Sequence, residues 1–420
     1  MITIRPKKSI KEWFLLAMFY LLVFQSPLEG VFAPFKYIDE LFPFIGLIGV
    51  FYIAIRNGKV TMKKNTAQIV ILLTVFFVSG ILGNVIYQYQ PIKSVLIDLY
   101  TNFKFFFSIL SGYVLFTVCN SEVEREALLR HAKMIATVMF VLLILDLVFH
   151  IYPSPEERYG IRVVQLFYYH CTYLAAAMVF LLAIFMAFYE ENNKMYMLFA
   201  LAVLFFTLRG KAMAGAAVFV LIFYFIVLKK KKLRFYHMLL MAAIVFVIGK
   251  DLFAFYYLDL EGASARSVLT QTSFQIMKDY FPIGTGFGTF ASAEAGIHYS
   301  PVYEMYGFRF IYELDGSGSD FFSDTFWPII MGQSGAIGTI CFASVLVLLF
   351  LKVLRSKNHD IRAYGMGVFV IIYIVVSSTS EPAFHNSIAI PLAMMLGYIF
   401  TLEKQYVKET ERHRNRHLSV

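Results

Sequence analysis

Apolar runs recur along almost all of the 420-residue chain, each about 17 to 22 residues long, the length that crosses roughly 30 Å of hydrocarbon at 1.5 Å per residue. Few other folds are open to such a chain. Its residues are 59% hydrophobic, 18% aromatic and 15% charged, more apolar surface than a soluble core of this size hides. The expected fold class is an all-α polytopic membrane protein. About twelve transmembrane segments are expected, at 11–27, 41–56, 67–88, 103–120, 133–151, 167–189, 195–209, 211–228, 235–253, 329–351, 363–379 and 387–402. No equal halves, interrupted-helix pairs, Pro-rich linkers or low-complexity tracts divide the chain, so residues 1–420 are read as one membrane domain.

The basic residues set the sidedness, because cytoplasmic loops collect Lys and Arg. Arg5, Lys7, Lys8 and Lys11, then Arg56, Lys59, Lys63 and Lys64, then Arg125, Arg130 and Lys133 fall on one side if the N-terminus is inside. Lys229 to Lys232 with Arg234, Lys352 with Arg355, Lys357 and Arg362, and the tail residues Lys404, Lys408, Arg412, Arg414 and Arg416 continue the pattern. Both termini are therefore expected in the cytoplasm. The net charge of +9 reads as topology beside anionic headgroups, with membrane lipids as partners and no nucleic acid. Trp13 to Phe24 lies behind four basic residues, but Gln25, Ser26 and Pro27 offer no signal-peptide cleavage site, so it is read as the retained first span. Cys119, Cys171 and Cys341 lie in or at the ends of spans, without metal-ligand spacing, and are read as packing residues.

Residues 251–328, between the ninth and tenth spans, break the pattern and are expected as a large extracytoplasmic insert. Asp251, Asp259, Glu261, Asp279, Glu294, Glu304, Glu313, Asp315, Asp320 and Asp324 face only Arg266, Lys278 and Arg309 there. Within it, 265–281 reads as an amphipathic helix with Ser264 as N-cap. The sequence Pro282-Ile283-Gly284-Thr285-Gly286-Phe287-Gly288-Thr289 reads as a turn, its glycines free to take positive φ.

Charged residues at membrane depth or just outside it are expensive to place, so they are the candidates for chemistry. Arg209 and Lys211, flanking Gly210 between two apolar runs, offer cations and helix-start donors to a phosphate or diphosphate; snorkelling to water is the alternative. Arg266 is a second candidate, with a salt bridge to Asp259 or Glu261 as its structural alternative. Asp324, before Trp327 and Pro328, is a candidate general base, or simply a helix N-cap. Glu381 and His385 in the last external loop are candidates to line the same cavity, and Arg158 and Arg162 add cations on that side, with surface pairing as the default. No nucleophile elbow, P-loop, dinucleotide fingerprint or HExxH motif occurs.

In their order these pieces resemble the bacterial Wzy-type polysaccharide polymerases and the related WaaL-type O-antigen ligases. The resemblance lies in Leu208-Arg209-Gly210, in Arg266 ahead of the Pro-x-Gly-x-Gly at Pro282 to Gly286, and in Gly335-Ala336-Ile337-Gly338 after the polar start of the next span. It covers about Phe205 to Leu349. It implies a glycosyltransferase-C-like helical fold, an undecaprenyl diphosphate-linked glycan as substrate, no metal, no cofactor and no nucleotide sugar, and the bacterial cytoplasmic membrane as location. A chain-length regulator and a flippase are its implied partners. The resemblance assigns Arg209 and Arg266 to the diphosphate, with Lys211, Arg162, Gly284, Gly286, Gly288, Arg309, Glu381 and His385 as further substrate-binding candidates. Asp324 stands where the ligases carry a His, which favours a polymerase and gives Asp324 the acceptor hydroxyl. Tyr299, Tyr303, Tyr306 and Tyr312 are expected as sugar platforms, and the insert as a lid. The rival classes are an O-antigen ligase, a lipid-linked oligosaccharide flippase or transporter, and a sensor using the insert as a binding module.

Overall fold

The computed structural model describes residues 9–57, 63–119, 121–154, 156–254, 264–311, 313–316 and 321–418, with the side chains of 53, 57, 251–253 and 404–418 left aside. Among the described residues, helices dominate. They are α1 (Ile10–Val23), α2 (Gln25–Val31), α3 (Ile38–Asn57), α4 (Lys64–Tyr87), α5 (Ile92–Val118), α6 (Glu122–Phe149), α7 (Cys171–Ala187), α8 (Lys194–Phe206), α9 (Gly210–Ile222), α10 (Phe235–Phe253), α11 (Ala265–Asp279), α12 (Ala293–Ile297), α13 (Pro301–Met305), α14 (Trp327–Ser356), α15 (Ile361–Ser377) and α16 (Ala389–Leu418). The described strands are β1 (Glu157–Arg158) and β2 (Ile161–Arg162), an antiparallel pair.

Each apolar segment of the sequence falls on a helix, but not all of those helices are alike. Six are long and apolar enough to cross a membrane: α3 with the 3-10 turn before it, α4, α5, α6, α9 with its π-helical end, and α14. A seventh is added if α1 and α2, which meet at 78°, count as one span. α7, α10, α15 and the first part of α16 are shorter apolar helices. Position explains part of the difference. All but one residue of α7 is buried, and most of α15, so these two are walled by protein, as helices hydrophobic all round must be. α3 instead exposes Ile48, Phe51, Tyr52 and Ile55, a stripe that only lipid covers without penalty. The chain is thus built as an all-helical membrane protein.

Local chemistry sets the helix ends. Ser121 and Glu124 close a capping box on α6, whose other end is His150 in the left-handed region. Pro43 interrupts the α3 ladder, and Ser111 of α5 repairs it by accepting from Gly46 N (2.8 Å) and donating to Phe42 O (2.8 Å). Far along the chain, Lys63 and Lys352 both hold Glu403, at 2.6 and 3.5 Å. That clasp closes the Lys352 end of the bundle.

α14 is broken near its start, where Gly335 has φ 62° and ψ −161°. A broken helix leaves carbonyls and amides without partners. Residues 282–288 supply them: Thr285 N donates to Gly332 O (3.0 Å), Gly286 N to Gln333 O (2.9 Å), and Ile337 N to Pro282 O (3.1 Å). Ser79 of α4 takes the next carbonyl, Ser334 O, at 2.7 Å. The turn is pinned from beneath by Asn84, which exchanges bonds with Phe287 N (2.8 Å) and Phe287 O (2.9 Å), and by Asp98 Oδ2 on Gly288 N (3.0 Å). Above it the insert has a small core of its own, built on Leu269, Ile276, Phe290, Tyr303, Phe308 and Phe322.

A methyl on Gly284 would meet Gly335 N at 2.4 Å and Gly332 O at 2.6 Å, whereas one on Gly307, at nearly the same φ, would meet nothing within 4 Å. Gly307→Ala is therefore expected to cost only the left-handed penalty of about 1–2 kcal/mol. Gly284→Ala must cost several times as much, read as the loss of unfolding midpoint in detergent; equal losses would reject the splice.

Candidate functional site

Three residues link α8 to α9, and they aim the first candidate. Leu208 takes a left-handed φ of 48°. Arg209 follows in extended backbone as the N-cap of α9 without a side-chain cap, so its guanidinium points away from the helix start. There it meets the beginning of α7: Nη2 lies 2.6 Å from His170 Nε2, and Nε donates to Cys171 Sγ at 3.2 Å. The loop before α7 is drawn in by Val164 N donating to Phe206 O (3.0 Å), and by Val163, Cys171 and Leu208 packing together.

His170 caps α7, its Nδ1 accepting from Thr172 N at 3.2 Å, and its Nε2 lies 3.7 Å from Glu156 Oε1. Burial and then the charge of Arg209 hold the imidazole below its ordinary pKa, against the pull of Glu156. A neutral ring has a single acceptor nitrogen, which serves either Thr172 N through Nδ1 or Arg209 through Nε2. Glu156 goes the other way: burial would raise its pKa, but Arg209 and Arg158 outweigh it and bring it below the usual range. Arg158 binds the same carboxylate at 2.7 and 3.0 Å.

The second group comes from the insert and the last loop. Ser264 caps α11 by accepting from Ser267 N, and Arg266 in the first turn donates to Asp324 Oδ2 at 3.1 Å. Asp324 is not the cap of α14, a position held by Phe326 without a side-chain bond. Lys211, in the first turn of α9, pairs with Glu381 from the loop after α15, both side chains mostly buried. Burial lifts the Asp324 carboxyl above its usual range, Arg266 opposes this, and the charges of Glu381 and Arg209 also reach it. Arg209, Lys211, Arg266, Asp324 and Glu381 therefore share one electrostatic site. Two of its buried oxygens, Thr325 Oγ1 and Glu381 Oε1, have no hydrogen-bond partner among the described residues.

Beside these charges lies an apolar cavity of about 700 Å³ between α9, α10, α14 and α15, lined by Lys211 and Trp327 and by side chains such as Met241, Val245, Leu346 and Val375. Trp327 is fixed there by Nε1 donating to Ser378 Oγ (3.2 Å). Cations at the edge of an apolar slot suit an amphiphile with an anionic head. Among the described residues no three His, Cys, Asp or Glu side chains gather as a metal site.

Other candidates lie elsewhere. Arg162 is bound to Asp146 at 3.1 Å and to Tyr152 O, tying the β1–β2 hairpin to the end of α6. Arg309 is exposed and pairs with Glu304. His385 meets Asn102 of α5 at 3.2 Å, which parts it from Glu381. Gly284, Gly286 and Gly288 spend their amides on Tyr280 O, Gln333 O and Asp98, which leaves none for a substrate. Tyr303 is fully buried in the insert core, while Tyr306 donates to Asp279 at 2.8 Å. Asp259, Glu261, Tyr312, Asp320, Arg5, Lys7, Lys8 and Lys59 lie outside the described residues. Cys171, expected as packing alone, accepts from Arg209. His170 and Glu156 were not foreseen; the available signal was a titratable residue, His170, opening an apolar run.

Comparison of the chain with protein-family models and with curated proteins finds no match to either.

The lowered pKa of His170 has a sign that can be measured. The unfolded chain, at about 6.5, takes up the proton first, so this contribution to stability is complete above that pH and is lost as pH falls through the folded value. His385, pushed down to about 3 by burial and then by Lys104, adds to the same slope. The unfolding midpoint should fall from about pH 7 to about pH 5, and His170→Gln should remove part of that fall; an unchanged slope would reject the assignment.

Proposed function

We propose that this chain is an integral membrane glycosyltransferase of the Wzy type, joining undecaprenyl diphosphate-linked oligosaccharide repeat units at the outer face of the bacterial cytoplasmic membrane. One observation carries the reading. Arg266 and Asp324, from two separate elements, form an ion pair that the charges of Glu381 and Arg209 also reach, beside an apolar cavity that Lys211 and Trp327 border. The three cations suit a diphosphate, and the cavity suits the start of an isoprenoid tail.

In the proposed reaction an acceptor sugar hydroxyl attacks the anomeric carbon of the donor. Its proton goes to Asp324, while the bond from that carbon to the diphosphate breaks and its electron pair leaves with the diphosphate. Arg209, Arg266 and Lys211 stabilise the charge that builds on the departing group. A carboxyl lifted by burial is a stronger base than an exposed one, which suits Asp324 to the role. His170 and Cys171 hold the Arg209 guanidinium in place.

On this reading the twelve apolar segments cross the membrane and both termini are cytoplasmic, which puts the Lys63–Glu403–Lys352 clasp on the inside and the site outside. On this reading the insert acts as a lid over the site. A chain-length regulator and a flippase are its proposed neighbours. The ligase alternative would need a proton acceptor other than a His at position 324. A transporter is disfavoured by the gathering of the candidate charges at one end of α14.

Arg209→Ala and Arg266→Ala should each abolish long polymer while leaving the protein in the membrane, as read by glycan gels beside membrane blots. Asp324→Ala with full chain-building activity would sink the proposed base. The purified protein, given a lipid-linked repeat unit without metal or nucleotide, should make a ladder of products. In cells lacking it, single units should accumulate at the outer face; accumulation at the inner face would mean a flippase.

A further inference from the structure

Every cation of the site is already engaged. Arg266 holds Asp324 at 3.1 Å, Lys211 holds Glu381, Arg158 holds Glu156, and Arg209 lies against His170 and Cys171. An anion that is to reach Arg266 or Lys211 must therefore exchange with a carboxylate. We infer that Asp324 and Glu381 are specificity-determining groups which hold Arg266 and Lys211 in ion pairs, so that a lipid diphosphate, able to replace both carboxylates together, is selected over a lipid monophosphate, which can replace only one. The inference rests on the diphosphate-linked donor proposed above.

The two pairs differ in a way that orders the exchange. The side chains of Arg266 and Asp324 keep 21% and 32% of their exposure, those of Lys211 and Glu381 only 10% and 13%. The first pair opens at little cost, since a part-exposed ion pair contributes little. The second is sequestered, and removing one partner of a buried pair strands the other as an uncompensated charge. A ligand that satisfies Arg266 alone therefore leaves Lys211 and Glu381 together, and its own charge faces the Glu381 carboxylate across the site. A ligand with a second phosphate gives Lys211 a replacement, and the exchange completes.

The displaced groups then have work to do. Separated from Arg266, Asp324 loses the charge that opposed its raised pKa and becomes a better proton acceptor. The base is therefore unmasked when the donor is seated, and before that it is a poor activator of water. Glu381 Oε1 and Thr325 Oγ1, both buried and without hydrogen-bond partners among the described residues, are placed to receive hydroxyls.

The test measures binding of undecaprenyl phosphate and undecaprenyl diphosphate to the purified full-length protein in detergent. The wild type should prefer the diphosphate by at least about tenfold, the factor that 1.4 kcal/mol supplies. Glu381→Gln and Asp324→Asn should each bind the monophosphate more tightly than the wild type, so that the preference shrinks several-fold, although both lose polymer formation. Glu381→Asp, which keeps a carboxylate, should retain the wild-type preference and checks that Glu381→Gln has not merely loosened the fold. Variants that bind both lipids more weakly, or keep the wild-type ratio, overturn the inference while leaving the donor assignment standing. A wild type that binds neither lipid overturns the donor assignment and the inference with it.

Discussion

The repair of α14 at Gly335 is the interaction on which the rest of the structure depends. A helix broken within a buried bundle must have its exposed peptide groups satisfied by protein, because no water competes for them. Here the partners come from a turn some fifty residues earlier and from Ser79 of α4. Once that turn is seated, α11 is fixed by its C-terminal end and Arg266 by its N-terminal end. The short segment before Gly335 fixes Trp327 and, just ahead of it, Asp324. The site is therefore a consequence of how one helix is interrupted.

The same constraint explains what the sequence could and could not reveal. Apolar runs are local, so every span placed from hydropathy has a helix under it. Ser264 as the cap of α11 was legible too, because capping is decided within four residues. The Arg209 turn, Arg266 and Asp324 stood out as costly charges in the wrong places. Their partners did not: Arg266 and Asp324 are 58 positions apart, and no periodicity encodes such a pairing. The glycines at 284, 286 and 288 announced a turn correctly, but spacing gives the conformation and not the acceptors that use up the amides. Arg162 has an ion-pair partner, the default reading for it, but that partner, Asp146, was not legible because it lies inside an apolar run and is 1% exposed.

Length alone proved a partial guide to the membrane. The longest helices, α14 and α16 at 30 residues each, are not the most enclosed, and α7, at 17 residues, is. A helix surrounded by other helices answers to its neighbours, whereas one facing lipid must match the thickness of the bilayer. Short helices at the centre also leave room above their ends. It is at such ends, those of α7 and α15, that His170 and Glu381 stand.

The pairing of Arg266 and Lys211 with internal carboxylates also bears on how the proposed site is found. Opposite charges a few ångströms apart cancel at a distance, and what field remains is screened within about 10 Å at 0.1 M salt. These two pairs therefore add little to the gathering of anions from the surrounding water. On the proposed reading, traffic to the site is planar: a molecule anchored in the bilayer, diffusing in two dimensions and held at depth by its own tail, arrives with its head group level with Arg209.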